Sequence, residues 1–352
     1  MFSIHLTRKS PIIKLLLPGI LLFVCLLIGC GSGNDTSPDA TQQNTASTDG
    51  QTDLATTPEI ATTLRHRFTE GQRMDYVETM NSANRILTFG QETSFEMETS
   101  FHVIVDAVEE DGSASMAWTT DRLKMKIQGS GGTVRFDSAD GEEPDHPDWQ
   151  QMRGIFFPLQ YVEFTFHATT DGIVSDVKLS EAAAARLEKD PTLAFMFSDS
   201  SLRENPRKLF HPLPAKPVNP ADTWKHVVSS DSLPGAKVDV DVTNTYQGME
   251  NVDGQQLALL NQTSNFKTEF GPETFATMSY NDDLTRGSEW FDPKLGWYVK
   301  TDDTMVMTTV TKQGDITLEI EQTVKMELRL VPSPQPIPDS ETSREETKPI
   351  TP

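Results

Sequence analysis

A β-strand pattern of alternating apolar and polar residues dominates the chain between about residues 64 and 330. The last such segment is the clearest. Its even positions from Ile316 to Leu330 are apolar apart from Gln322, whereas every odd position in it is polar. This period of two is typical of a β-strand with one buried and one solvated face. At about 3.3 Å per residue the segment predicts a strand of roughly 50 Å, far longer than the usual five or six residues.

An earlier pair of segments shows the same alternation with a change of phase. The first has its apolar side chains at odd positions, namely Phe95, Met97, Phe101, Val103, Val105 and Ala107. In the second, the apolar positions are even as far as Trp118 and odd from Leu123 onward. The change predicts a β-bulge or bend between Trp118 and Leu123 that keeps one face inward. Long strands of this kind favour a mainly β fold with one or more large, curved antiparallel sheets.

A short helical insertion is predicted near residues 180–204. Ser180 can cap the helix-forming run from Glu181 to Lys189, and a second helix can follow as far as Arg203. The strand-rich segments before and after this insertion resemble each other faintly. A duplicated fold and an ordinary β meander are therefore open alternatives.

The N-terminus has the layout of a secretory signal. Arg8, Lys9 and Lys14 precede an apolar run from Leu15 to Leu27, and no acidic residue occurs before position 35. The run is about 13 residues long, which is short of the roughly 20 needed to span a bilayer as a helix. An uncleaved signal anchor is the alternative reading.

The four residues from Leu27 to Cys30 follow this apolar run. The sequence Leu-Ile-Gly-Cys is similar to the lipobox of bacterial lipoproteins, in which the cysteine receives the lipid and becomes the first residue. The resemblance implies attachment of the chain to a membrane of the cell envelope through a lipid on Cys30. Gly31 follows where aspartate is an inner-membrane retention signal in some enteric bacteria, so by that rule the outer membrane is expected.

Composition completes the predicted organisation. Polar residues after Cys30 predict a disordered tether, and a Pro- and Glu-rich C-terminus predicts a disordered tail. The predicted divisions are a lipoprotein signal peptide (1–29), a tether (30–60), a β-rich first half with the helical segment (61–210), a β-rich second half (211–331) and a tail (332–352).

Charge and cysteine content narrow the functions. The chain has a net charge of −22, and removal of the three cations in residues 1–29 makes it −25. Such an excess repels phosphate backbones, so nucleic-acid binding is not expected. Of the two cysteines, Cys25 lies in the removed segment and Cys30 carries the lipid, so the mature chain has no disulfide.

No motif for chemistry is recognisable. There is no Gly-x-Ser-x-Gly elbow, no phosphate-binding loop and no zinc-type pair of histidines. His102 and His167 fall on the polar faces of their predicted strands. The sequence therefore predicts a non-enzymatic protein with no catalytic residues, no cofactor and no metal.

Two short motifs carry a family resemblance. Residues Phe68 to Tyr76 resemble a "strand, Gly, Gln/Glu, strand, Tyr" opening, and residues Pro217 to Trp224 resemble a "Pro-Val-x-x-Gly-Asp-x-Trp" signature. Both are similar to an uncharacterised family of exported β-rich lipoproteins, a domain of unknown function of planctomycete-type bacteria. The resemblance covers about residues 64–330. Ala221 stands where the family usually has glycine, and Asp222 and Trp224 are expected to close a turn and begin a strand.

Three functions remain at this point. The first is a membrane-anchored binding module for an apolar ligand or an envelope partner, which predicts an apolar cavity under residues 181–204. The second is a structural or interaction lipoprotein, which predicts an exposed apolar patch. The third is an enzyme with a dispersed site, which predicts polar side chains that converge in a cleft and have perturbed pKa values.

Overall fold

A computed structural model of the chain describes residues 61–146, 162–187, 205–230, 236–270, 276–280, 286–313 and 316–332, together with Trp149, Arg153, Leu159 and Leu202. The signal peptide, Cys30, and nearly all of the predicted tether and tail lie outside these residues. The second predicted helix lies outside them as well, apart from Leu202.

Thirteen β-strands and a short α-helix make up the named elements. The strands are β1 (Arg73–Ile86), β2 (Gln91–Val108), β3 (Ala114–Gly129), β4 (Gly132–Asp137), β5 (Glu163–Ala168), β6 (Val174–Leu179), β7 (Thr223–Ser230), β8 (Ala236–Val252), β9 (Gln255–Phe270), β10 (Ala276–Tyr280), β11 (Arg286–Asp292), β12 (Trp297–Gln313) and β13 (Ile316–Val331). The helix α1 spans Glu181–Leu187, and the backbone amide of Ala183 donates to Ser180 Oγ at 3.1 Å. The predicted cap is therefore confirmed.

All of these strands belong to one antiparallel sheet. Their order is β6-β5-β3-β2-β1-β13-β12-β11-β9-β8-β7, with β4 paired to β3 and β10 paired to β12. The sheet is open, because β6 and β7 lie at the two ends of this order. The predicted mainly β fold with a large antiparallel sheet is confirmed. We call the face with the even residues of β1 and β13 the inner face, because these residues are mostly buried.

The order of the strands makes the chain cross the sheet. The chain begins in the middle with β1, proceeds outward to the edge strand β6, continues at the opposite edge with β7, and returns to the middle with β13. The connection between Leu179 and Thr223 therefore links the two edges. Its residues Leu209 and Phe210 are fully buried in the main core cluster, which also contains Tyr76 and Trp297. A core on the inner face is thus closed by the crossing connection.

The phase change in β3 corresponds to a bulge, as predicted. Thr120 pairs with Phe101 and Arg122 pairs with Ser100, so Asp121 is an extra residue without a partner in β2. The bulge turns Leu123 and Met125 to the same face as Trp118, and all three side chains are buried.

One predicted core position is wrong. Ala107 was expected on the apolar face of β2 but is exposed. A second irregularity lies between Val105, which pairs with Met116, and Ala107, which pairs with Ser115. The extra residue here reverses the alternation at the end of β2, so that Val108 instead packs against the core.

Deletion of Asp121 provides a test of the first bulge. Without it the strand alternates regularly from Trp118 to Leu123 and every core side chain keeps its face, so we expect a loss of about 1 kcal/mol or less in the free energy of unfolding. Deletion of the neighbouring Lys124 should cost about 2–3 kcal/mol, because it turns the buried Leu123 outward or shifts the register of the following residues. Urea unfolding of both proteins measures the difference. Equal losses would contradict the assignment of Asp121 as the extra residue.

The second family-like motif forms a turn before β7. The backbone amide of Asn219 donates to the Asp222 carboxylate at 2.7 Å, and β7 begins at Thr223, as expected for these residues. Ala221 has a φ of 72°, in the left-handed region that favours glycine. This conformation explains why a glycine is usual at the corresponding position of the motif.

Candidate functional site

Polar side chains cross the inner face in one row of the second half of the sheet. Asp303 on β12 pairs with Gly287 on β11, Gly287 pairs with Gln262 on β9, and Gln262 pairs with Asn244 on β8. Residues directly opposite each other in a sheet share a face. Apolar residues flank this row on the same face, since Val240 and Val242 of β8 and Met305 and Met307 of β12 are buried.

Two further groups join this row. Glu289 lies two residues beyond Gly287 on the same face of β11 and has an exposed fraction of only 1%. His211 belongs to the crossing connection, and its Nδ1 lies 2.7 Å from Glu289 Oε1. We refer to Asn244, Gln262, Glu289, Asp303 and His211 as the inner polar cluster. It combines two carboxylates, one imidazole and two amides.

Close backbone contacts hold His211 in place. Gly172, in the turn between β5 and β6, has a φ of 87°, and a Cβ at this position would lie 2.1 Å from the carbonyl oxygen of His211. The backbone amide of Leu213 donates to the carbonyl of Asp171 at 2.8 Å. The turn of the first half of the chain therefore positions a histidine against a glutamate of the second half.

The charges of the cluster are strongly coupled. Burial by itself would lower the pKa of His211, but the attraction of Glu289 outweighs burial and raises it. Burial, followed by repulsion from Glu289, raises the pKa of Asp303 to about 7. Burial, the Glu289 charge and a side-chain hydrogen bond with Glu289 also raise the pKa of Tyr298. The attraction of Glu289 thus favours the protonated form of His211, whereas Asp303 titrates near neutral pH.

Glycine at position 287 leaves the room that Asp303 occupies. A Cβ on Gly287 would lie 1.9 Å from Asp303 Oδ1, so any larger residue there would displace the carboxylate. Asp303 itself is half-buried, as is Gln262. The row is therefore accessible at these two side chains, while Glu289 lies beneath the surface.

Weak hydrogen bonds extend the cluster toward β7. Gln262 Nε2 donates to Glu289 Oε1 and to Asn244 Oδ1, each at 3.4 Å, and Asn244 Nδ2 lies 3.5 Å from His226 Nδ1. Burial, with a smaller contribution from His211, lowers the pKa of His226 to about 3. On the opposite side, Lys208 Nζ binds the two carboxylate oxygens of Glu78 at 2.7 and 2.9 Å.

Aromatic rings surround the cluster. The Tyr298 ring lies 5.3 Å from His211 and 5.2 Å from Phe291, measured between centroids. His66 packs against Phe291 and Phe210, and its Nδ1 lies 2.9 Å from the carbonyl oxygen of Gly296. Burial lowers the pKa of His66 to about 3, so this imidazole is neutral and part of the core.

Asp303→Asn should make stability less dependent on pH. The pKa of Asp303 is about 7 in the folded chain and near 3.8 when unfolded. Between these two pKa values the Asp303 carboxyl is protonated in the folded chain and ionised in the unfolded chain. The free energy of unfolding of the wild type therefore falls as the pH rises from about 4 through 7. The free energy of unfolding of Asp303→Asn should therefore rise relative to wild type, by an upper limit of about 4 kcal/mol between pH 4 and 8.

Urea unfolding at several pH values measures this difference. Asp302→Asn is the matched control, because Asp302 lies on the outer face and pairs with Lys300. A constant difference between Asp303→Asn and wild type across this pH range would contradict the assignment.

A second group of polar residues lies on the outer face at the bulge. Asp75, His102 and Asp121 each offer a ligand atom, and these atoms lie within 4.8 Å of one another. His102 Nδ1 lies 2.8 and 2.9 Å from the Asp121 oxygens, while Arg73 binds Asp75 at 2.8 Å. The donor set suits a divalent cation, but Arg73 already neutralises part of its charge. We assign it no function.

The sequence missed both groups. It placed His102 correctly on the polar face, yet only the bulge brings Asp121 beside it. Glu289 shares the phase of the buried Phe291 in β11, and this signal could have shown that it faces inward. No comparable pattern marks His211, because it belongs to an irregular connection. Cys30, the one site residue predicted from the sequence, lies outside the described residues.

Comparison with protein families gives one match. Residues 111–298 match the family of unknown function DUF6263. The chain belongs to this family. The inner polar cluster lies in the matched region except for Asp303, which follows it by a few residues. The prediction of an uncharacterised β-rich family is confirmed, whereas the family's description names no activity that could be carried over.

Comparisons with curated sequences and with solved structures identify no protein of known function as a relative. No curated protein sequence matches the chain. Among solved structures, lipovitellin, described for its lipid–protein interactions, has 9% identity and a TM-score of 0.37, and the match covers 76% of this chain and 26% of lipovitellin. A candidate lipoprotein from Parabacteroides distasonis has 10% identity and a TM-score of 0.25, with 75% and 95% covered.

The hypothetical lipoprotein YmcC from Escherichia coli has 9% identity and a TM-score of 0.18, with 71% and 86% of the two chains covered. This chain thus spans about a quarter of lipovitellin, and TM-scores below 0.5 do not establish a common function. Within the described part of the chain, no helix has the length and apolar character needed to cross a bilayer.

Proposed function

We propose that this DUF6263 protein is a lipoprotein of the cell envelope, anchored through Cys30, whose folded part is a non-enzymatic binding module. The inner polar cluster is its ligand site. Membrane attachment rests on the lipobox-like residues 27–30, and the residue Gly31 favours the outer membrane. We also propose that this family is the one found in planctomycete-type bacteria that the two short motifs resemble.

The buried Glu289 is the observation that supports a binding site. A buried carboxylate costs several kcal/mol unless its oxygens are paired and hydrogen-bonded. Glu289 Oε1 meets His211, whereas its buried Oε2 has no hydrogen-bond partner among the described residues. Such a group in an apolar interior weakens the fold, and a ligand that donates a hydrogen bond to Glu289 Oε2 would remove this cost.

The alternative structural role has less support. It predicts an exposed apolar patch, but the exposed large apolar side chains of the described residues belong to four separate strands or turns. They are Leu87, Phe89, Ile173, Val227 and Met249. The apolar cavity expected under residues 181–204 lies largely outside the described residues, so that prediction stays open.

Native mass spectrometry tests the proposed function. The full-length protein, extracted in mild detergent from its own type of bacterium, should carry a stoichiometric additional mass beyond that of its lipid anchor. Glu289→Gln should lose this mass, while Glu319→Gln, which changes an exposed outer-face residue, should keep it. If each of the three proteins showed only the mass of its own chain and lipid anchor, the proposed binding module would be contradicted.

A second candidate function is proton transfer at the same residues. It is favoured by the pKa of Asp303, because a general acid or base works best when its pKa lies near the operating pH. The two candidates differ in the fate of the ligand. A binding module returns the ligand unchanged after extraction, whereas an enzyme returns a product of different mass.

A further inference from the structure

The charges of the inner polar cluster are not balanced. It contains two carboxylates, Glu289 and Asp303, and His211 is the one cation that contacts Glu289 within the described residues. Lys208 is engaged by both oxygens of Glu78, and His226 and His66 are neutral imidazoles. Within the described residues, no ion pair joins Asp303 to a lysine or arginine, and its pKa of about 7 is high for an aspartate.

The cluster also needs hydrogen-bond donors. Glu289 Oε2 is a buried acceptor without a partner among the described residues. A carboxylate accepts hydrogen bonds at both oxygens, and a charged donor gives the stronger bond. A cation that carries N–H groups supplies the missing donor and the missing charge together. A quaternary ammonium supplies the charge alone, and a neutral hydroxyl supplies the donor alone.

The surroundings specify the rest of the ligand. Buried valines and methionines flank the row on β8 and β12, and the half-buried Phe266 packs against the same core. The Tyr298 ring adjoins His211, and Phe291 packs against Tyr298. The faces of such aromatic rings favour cations. An aliphatic body would lie against these apolar side chains while its polar end meets the carboxylates.

We infer that the ligand of the inner polar cluster is an aliphatic primary or secondary amine, bound as the protonated ammonium by Glu289 and Asp303. This inference rests on the proposed function and deepens it. The ammonium donates to the free oxygen of Glu289, and its charge allows Asp303 to ionise. Binding at neutral pH therefore releases a proton from Asp303.

Isothermal titration calorimetry of the full-length protein in a non-ionic detergent tests the inference with short probes that do not form micelles. Hexylamine should bind at one site per chain, at least about tenfold more tightly than hexanol, hexanesulfonate or hexyltrimethylammonium. Titration in two buffers of different ionisation enthalpy should reveal a proton released on binding at pH 7.

Three variants identify the residues. Glu289→Gln should weaken hexylamine about tenfold or more, Asp303→Asn should abolish the proton release, and Glu319→Gln should change neither. Thermal unfolding checks that each variant is folded, and Asp303→Asn keeps the test decisive if Glu289→Gln does not fold.

Binding of hexanol or hexanesulfonate as tightly as hexylamine would overturn the ammonium assignment and leave the binding module intact. Absence of binding by every probe would also overturn it. The additional mass in native mass spectrometry then decides the proposed function separately.

Discussion

Cys30→Ala should abolish lipidation completely. In the lipobox that residues 27–30 resemble, the cysteine receives the lipid and becomes the first residue, so the variant should retain residues 1–29 and gain no acyl mass. The wild-type chain should instead begin at Cys30 and carry the mass of its acyl chains. This is an all-or-none difference, because no other cysteine follows Cys30.

Intact-mass spectrometry of the detergent-extracted protein measures both changes at once. Cys25→Ser is the matched control, since Cys25 lies within the apolar run and should be removed with it. Membrane fractionation alone would be ambiguous, because an uncleaved apolar segment can itself hold the variant at a membrane. A wild-type protein without acyl mass at position 30 would refute the lipid anchor.

The sequence predicted the sheet well because each long strand has one solvated face. In β13 the predicted alternation matches the burial of Leu318, Ile320, Val324 and Leu328. Gln322, which breaks the pattern, is also buried and donates to Ser82 Oγ at 2.9 Å. Met305 and Met307 of β12 pair with Val324 and Gln322 and are buried on the same face. Periodicity therefore predicted the long strands, their buried face and a bulge between Trp118 and Leu123, which the structure places at Asp121.

The candidate site was beyond the reach of the same reasoning. Its residues come from β8, β9, β11, β12 and the crossing connection, and only the strand order brings them together. Periodicity assigns a face to a residue but not its neighbours in other strands. His211 is even harder to predict from the sequence, because its position depends on contacts with the turn at Gly172 rather than on any repeating pattern.

The stability of the fold comes from its large apolar core rather than from its buried charges. A pair such as His211 and Glu289 adds little net stability, since the cost of removing both charges from water offsets their attraction. The fold therefore depends on its apolar contacts, above all where separate segments meet on the inner face. Trp297 is one such meeting point, as it touches the segment before β1 and the crossing connection.

Trp297→Ala should destabilise the protein by about 3–5 kcal/mol. The side chain is fully buried, its ring lies 5.8 Å from Phe68 and 5.4 Å from Phe210, and Nε1 donates to the carbonyl of Arg67 at 3.1 Å. Truncation to alanine leaves a cavity between three segments and an unpaired carbonyl. Since domains of ordinary stability unfold at about 5–15 kcal/mol, the loss is a large share of the total.

Urea unfolding followed by far-ultraviolet circular dichroism measures this loss without relying on tryptophan fluorescence. Trp290→Ala is the matched control. Trp290 lies on the half-exposed face of β11, where its Nε1 donates to Glu250 at 2.7 Å and Lys300 lies 4.5 Å from its ring. We expect a cost of about 1 kcal/mol or less there, because exposed contacts of this kind contribute little. If the two variants were equally stable, the crossing connection would not be anchored at Trp297.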